Sequence, residues 1–185
     1  MKQLVFLLEE PSARALLEQF LEPRMPQEWQ VRYVVFEGKQ DLENNLVRRL
    51  RGWRAPNTAF VVLRDQDAAD CEDVKARLVA LVAASGRSAL VRVACRDLES
   101  WILGDLDALA EAFEAPRVAE LSTKARFRDP DRLVKPVEEL RRLVPSYQKI
   151  DGARRVGRHL DPSRSRSRSF RTFVSGVERL WSSRS

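Results

Sequence analysis

"VVLRDQDAADCEDVKARL", residues 61–78, changes character twice. Val61, Val62 and Leu63 make an apolar, β-branched run of the kind that forms a buried strand. Asp65 and Asp67 then break the run. From Cys71 the residues read as a helix, which Gly86 stops. A buried strand that empties into acids and turns into a helix is the repeating step of a parallel α/β sheet.

The same step recurs on both sides. "QLVFLL" (Gln3 to Leu8) precedes "PSARALLEQFLEP", in which Pro11 lies near a helix start and Ala15, Leu16, Leu17, Phe20 and Leu21 follow helical spacing. "WQVRYVVF" (Trp29 to Phe36) precedes "KQDLENNLVRRLRGW", with Leu42, Leu46 and Leu50 on one face. "NTAFVVLR" is the third strand, and "SALVRVAC" the fourth, followed by one predicted helix, "DLESWILGDLDALAEAF". The expected fold class is α/β and Rossmann-like: a mainly parallel four-stranded sheet over residues 1–115, flanked by helices through right-handed crossovers. Residues 116–185 read as a basic, mainly helical extension packed on or near that core, interrupted by Pro130, Pro136, Pro145 and Pro162.

Composition narrows the function classes. In 185 residues, 44% are hydrophobic and 32% charged, as in a soluble globular domain. No apolar run approaches the roughly 20 residues of a membrane helix. "LVFLL" ends at Glu9 and Glu10, which excludes it as a signal peptide or anchor. Cys71 and Cys95 match no metal spacing and point to a reduced, cytoplasmic setting. A single histidine, His159, argues against a His-rich metal site or a serine triad. The net charge of +6 is uneven: residues 1–120 carry 16 Lys+Arg against 20 Asp+Glu, and residues 121–185 carry 17 against 7. A basic second segment suggests a polyanionic partner, most simply nucleic acid. "SRSRSRS" (Ser163 to Ser169) is too short for a splicing-type segment and is expected to be a phosphate-touching or mobile loop.

In parallel α/β sheets the ligand crevice lies beyond the carboxyl ends of the strands. The first strand delivers Glu9 and Glu10 there, the third Asp65 and Asp67, the fourth Asp97 and Glu99; the second gives Glu37-Gly38-Lys39. Residues two apart in extended chain point the same way, so Asp65 and Asp67 are expected to face one ligand together. Carboxylates so gathered repel unless a cation lies between them, and hard oxygen donors without His or thiolate suit Mg²⁺ or Mn²⁺. Each acid alone reads more readily as a helix-start or turn residue, and it is the topology that gathers them.

An acid closing the first strand and a D-x-D closing the third resemble the TOPRIM (topoisomerase–primase) fold. More closely, "FEGKQDLENNLVRRLRGW", "VVLRDQDAADC", "ACRDLESWILGDLDAL", "PDRLVKP" and "YQKIDGARR…SRSF" resemble a small stand-alone bacterial TOPRIM-like family of unknown function, often found near ATPase genes or in phage-defence neighbourhoods. The resemblance implies that Asp65 and Asp67 hold Mg²⁺, that Glu9 is a general acid/base or further ligand, and that Glu99 is another ligand or a structural acid. Roles for Glu10 and Asp105 stay open. Where the wider fold has glycine after the glutamate, this chain has Glu10 and Pro11.

The function expected from these features is Mg²⁺-dependent phosphodiester hydrolysis of DNA or RNA. Lys135, Lys149, Arg154, Arg155, Arg164, Arg166 and Arg168 are the candidate phosphate contacts, with Gly152 in "KIDGARR" letting the backbone approach. Tyr33 and Tyr147 are expected away from the acidic edge, which leaves covalent strand cleavage unsupported. The alternatives are a non-catalytic nucleic-acid- or nucleotide-binding partner of an ATPase, and nucleotidyl or small-phosphate chemistry at the same site. "ESWIL" and "FRTFV" offer apolar faces that a homodimer or the core itself could cover.

Overall fold

β1 (Lys2–Leu8) and β3 (Thr58–Asp65) are almost unbroken apolar runs, and residues of that kind are stable only where both sides are covered. The computed structural model, which describes residues 1–182, places them at the centre of a four-stranded parallel sheet. β2 (Trp29–Val35) pairs with β1, and β4 (Leu90–Ala94) with β3, giving the order β2-β1-β3-β4.

The period-two alternation of the strands splits the core in two. Val5, Leu7, Phe60, Val62, Val91 and Val93 meet α2 (Lys39–Gly52) and α3 (Cys71–Ala84) through Leu42, Leu46, Leu50, Val74, Leu78 and Val82. Leu4, Phe6, Leu8, Val61 and Leu63 face the other layer. That layer begins with α1 (Pro11–Leu21), α4 (Glu99–Leu103), α5 (Leu106–Phe113) and α6 (Pro116–Ala119), and continues with α7 (Pro136–Leu143), α8 (Lys149–Gly157) and α9 (Arg168–Ser182). The C-terminal segment completes this layer: Phe173 of α9 packs on Trp101 at 4.9 Å between ring centroids and on Phe6 at 6.3 Å. Gly157 of α8 lies so close to α1 that a Cβ there would come within 2.6 Å of the Leu16 carbonyl oxygen.

Two expectations are corrected. The helix expected through "DLESWILGDLDALAEAF" is two helices, α4 and α5, broken at Gly104–Asp105. Asp105 starts the second by accepting the Ala108 N–H at 3.1 Å, and its other oxygen accepts the Asp161 N–H at 2.9 Å. "SRSRSRS" is a pinned strap, which corrects the mobile-loop alternative. Ser165, Ser167 and Ser169 are buried while Arg164, Arg166 and Arg168 point outward. Asp131 accepts from the Ser167 hydroxyl at 2.6 Å and the Ser169 N–H at 2.8 Å, and the Trp101 indole N–H donates to the Ser169 hydroxyl at 2.8 Å. The Arg166 N–H donates to the Gly104 carbonyl at 2.8 Å.

Among the described residues, no helix is long and apolar enough to cross a membrane.

Gly104 is where strap and helix break meet: a Cβ there would stand 2.8 Å from the Ser165 hydroxyl and 2.9 Å from the Ser167 backbone nitrogen. Gly104→Ala is therefore expected to destabilise the fold by about 1–3 kcal/mol, read as a lower midpoint in urea unfolding, because backbone must shift to admit the methyl.

Candidate active site

The strand order brings three acidic exits side by side, since β1, β3 and β4 are neighbours while β2 lies at the far edge. Glu9 and Glu10 follow β1, Asp65 ends β3 beside Ala94 of β4, and Asp97 and Glu99 follow β4. The turn after β1 needs no glycine: Glu10 is extended (φ −146, ψ 160) and Pro11 opens α1 at a position where its missing N–H costs nothing. The turns after β3 and β4 are laced beyond the sheet. The Gln66 N–H donates to the Ala94 carbonyl, the Asp67 N–H to the Arg96 carbonyl, and the Arg96 N–H to the Gln66 side chain.

Asp65 is the centre of this rim. Only 9% exposed, its carboxyl is held well above the usual range by burial and then by Glu10, Glu99, Glu9 and Asp97. Burial also raises Glu9, against a hydrogen bond of 3.1 Å from the Asp65 N–H, and raises Asp97. Glu99 is fully buried, and that burial pushes it up to about 7. Its Oε1 accepts from the Tyr147 hydroxyl at 3.5 Å, and its Oε2 is buried without any hydrogen-bond partner.

The cation in this cluster is Lys149, the first residue of α8. Its Nζ lies 3.1 Å from Glu10 Oε2 and 3.9 Å from Glu99 Oε1. Burial pulls that ammonium down, but Glu99 and Glu10 outweigh it and the net shift is upward. Lys149 is thus a partner of the acids, whereas the sequence suggests a free phosphate contact. As the side chains stand, no three His, Cys, Asp or Glu groups among the described residues are gathered closely enough to enclose a metal ion.

Asp67 departs from the expected pairing with Asp65. Its backbone is left-handed (φ 57), which ends the strand alternation. Its Oδ2 takes a hydrogen bond of 2.8 Å from Lys39 Nζ and lies 3.9 Å from Arg64. Arg64, buried among Glu43 at 2.6 Å, Glu9 at 3.8 Å and Asp67, is a second internal cation that no sequence pattern singles out.

The other basic candidates scatter. Lys135, just before α7, pairs with Glu138 of that helix at 2.8 Å. Arg155 donates to the Ala112 carbonyl at 2.8 Å and covers the Phe113 ring. Arg154 is exposed. Arg164 holds the buried Asp105 at 3.2 Å, so Asp105 is a structural acid. Arg166 and Arg168 project from the strap beside Arg96, and Arg166 also donates to the Ser122 carbonyl. Gly152 is corrected too: a Cβ there would meet the Tyr147 ring at 2.3 Å, so it makes room for Tyr147, not for a ligand. Tyr147 in turn reaches the acidic rim, contrary to expectation, yet it is fully buried and burial raises its hydroxyl well above the usual range. Both properties unfit it as a nucleophile. The free thiols of Cys71 and Cys95 stand 3.9 Å apart at the foot of the β4 exit.

The family model described as "Domain of unknown function (DUF4276)" matches residues 8–178. No curated protein matches the chain. Among solved structures, the C-terminal region of the Burkholderia pseudomallei OLD protein aligns with a TM-score of 0.55 at 17% identity, covering 94% of this chain and 96% of that one. At that identity the likeness is one of fold. The C-terminal region of the Xanthomonas campestris pv. campestris OLD protein aligns at 0.47 and 17% identity, over 87% of each chain.

Glu99 gives a signed pH dependence. Folded protein keeps the Glu99 proton up to about pH 7, whereas an unfolded chain releases it near the ordinary 4.5, so stability falls as pH rises through that window. Glu99→Gln removes the dependence. In EDTA, its melting temperature relative to wild type is expected to climb between pH 4.5 and 7, by an amount worth at most on the order of 3 kcal/mol. A difference that stays flat across the window would show that Glu99 titrates normally.

Proposed function

We propose that this chain, which belongs to the DUF4276 family, is a phosphodiester hydrolase of the nuclease type whose acidic rim works with a hard divalent cation, Mg²⁺ or Mn²⁺. The observation that carries the reading is Asp65, a buried carboxylate pressed by four others from the two neighbouring strand exits. The TOPRIM-like placement of Glu9 and Asp65 at adjacent strand ends, on the fold shared with the C-terminal region of the B. pseudomallei OLD protein, supports it.

The residues present fit such an ion chemically. All the donors are carboxylate oxygens, and the unpartnered Oε2 of Glu99 is a buried acceptor for which the protein offers no donor. Asp65 would anchor the ion, with further ligands drawn from Glu9, Glu10, Asp97 and Glu99. Asp67 would join once released from Lys39. When bound, the ion supplies a Lewis-acid centre that polarises a phosphate and acidifies a water.

The chain's own groups supply the rest. Glu9 keeps a raised affinity for its proton and is held in place by the Asp65 N–H, which suits it to take and return a proton at the rim. Lys149, whose ammonium lies against Glu10 and Glu99, would pair with a negatively charged phosphate oxygen brought to the same rim. Arg64 stays buried and fixes Glu9 relative to Glu43.

A second reading rests on a specific observation: Lys149 already pairs with Glu10 and lies near Glu99, and Arg64 lies 3.8 Å from Glu9. Such a self-compensated site suits a non-catalytic nucleic-acid- or nucleotide-binding subunit, for instance one that serves an ATPase.

Plasmid and single-stranded substrates incubated with Mg²⁺ or Mn²⁺, beside EDTA controls, separate the two. Metal-dependent cleavage is expected, reduced at least about 100-fold by Asp65→Asn and about 10–100-fold by Lys149→Ala, as for removal of groups that stabilise developing charge. Binding without turnover in every metal, unchanged by Asp65→Asn, would favour the subunit reading and defeat the hydrolase.

A further inference from the structure

Arg96 and Asp97 are consecutive, yet they serve different surroundings. Asp97 belongs to the acidic rim, while Arg96 lines an open cleft of about 740 Å³ on the β4 side of it. Five arginines border this cleft: Arg96 from the β4 exit, Arg128 and Arg132 from the short turns after α6, and Arg166 and Arg168 from the serine-arginine strap. Gln66, from the β3 exit, completes the side nearest the rim.

The arginines are unequally committed. Arg132 lies 3.9 Å from Asp129, and Arg166 donates to the Ser122 carbonyl. Arg96, Arg128 and Arg168 make no side-chain hydrogen bond or ion pair among the described residues. The one other acid in the wall, Asp131, is consumed by the strap: Ser167 and Ser169 fill both its oxygens. The serines that bind Asp131 are the residues between the arginines, so burying Ser165, Ser167 and Ser169 holds Arg166 and Arg168 outward on one side. The Arg96 backbone is likewise fixed, in a left-handed conformation (φ 65), by its bonds to Gln66 and Asp67. The result is a preorganised positive surface on which five arginines outnumber two aspartates, Asp129 and Asp131.

What lines the cleft also limits what it can bind. No Trp, Tyr or Phe borders it. Single strands are held largely by stacking of unpaired bases on aromatic rings, which this cleft lacks, whereas clustered arginines answer the dense phosphate charge of a duplex. We propose that the arginine cleft binds the phosphodiester backbone of double-stranded nucleic acid, independently of sequence, and so delivers a duplex to the acidic rim. The assignment rests on the reading that the substrate is a nucleic acid.

Fluorescence anisotropy in EDTA, with a labelled duplex of mixed sequence and its separated strands over a KCl series, tests this without any turnover. Wild type is expected to prefer the duplex. Arg96→Glu/Arg128→Glu/Arg168→Glu is expected to weaken duplex binding at least tenfold, with the slope of log K against log salt shallower by about 0.9 per arginine removed. Arg128→Glu/Arg168→Glu leaves the β4 exit untouched and is expected to show about two-thirds of that slope change. Arg49→Glu, on exposed α2, is expected to bind as wild type. Equal binding by the cleft variants, or a preference for single strands, overturns the assignment. Duplex binding lost in those variants but kept in Asp65→Asn sustains the cleft even if no metal ever supports cleavage, an outcome that would defeat only the hydrolase.

Discussion

Five carboxyl groups share one edge of the sheet, and the repulsion among them is the constraint the rest of the molecule answers. Asp65 bears most of it. At the end of an interior strand, it is largely shut off from water and lies between Glu9 and Glu10 on one side and Asp97 and Glu99 on the other. A buried charge of this kind either takes up a proton or finds a cation. The chain provides partial answers in Lys149 and Arg64, and neither touches Asp65 itself. That residual deficit of positive charge distinguishes the rim from a settled structural ion-pair network.

The basic C-terminal third has three separate duties that its composition blends into one. Lys149 neutralises the rim, and Arg164 ties Asp105 to the strap. Arg166 and Arg168, with Arg96 and Arg128, border one open cleft. The strap connects these duties physically. Ser169 joins Trp101 and Asp131 while Phe170 and Phe173 of α9 enter the core, so the position of the arginine cleft is fixed by the packing that closes one face of the sheet.

The sheet was legible because its cause is local. Apolar runs such as Leu4–Leu8 and Ala59–Leu63 have no other stable use than interior parallel strands, and helix spacing between them sets the crossovers. The convergence of Glu9 and Asp65 followed from topology once the sheet was recognised. What failed were inferences across long separations or against local rules. Asp67 lies two residues beyond Asp65, but a left-handed residue cancels the alternation. Gly152 sits amid basic residues, yet it faces Tyr147. Tyr147 reaches Glu99 across 48 positions, a contact no periodicity encodes. A faint signal for the strap did exist: strict Ser/Arg alternation is the pattern of a segment with one buried and one exposed side.

Binding of Mn²⁺ to purified protein, followed by electron paramagnetic resonance as free ion disappears, measures the charge deficit at Asp65 directly. Wild type is expected to deplete the free-ion signal saturably, and Asp65→Asn to leave it as it is in buffer. Equal depletion by both proteins, or none by wild type, would mean that the rim is satisfied by its own lysine and arginines and has no place for a metal.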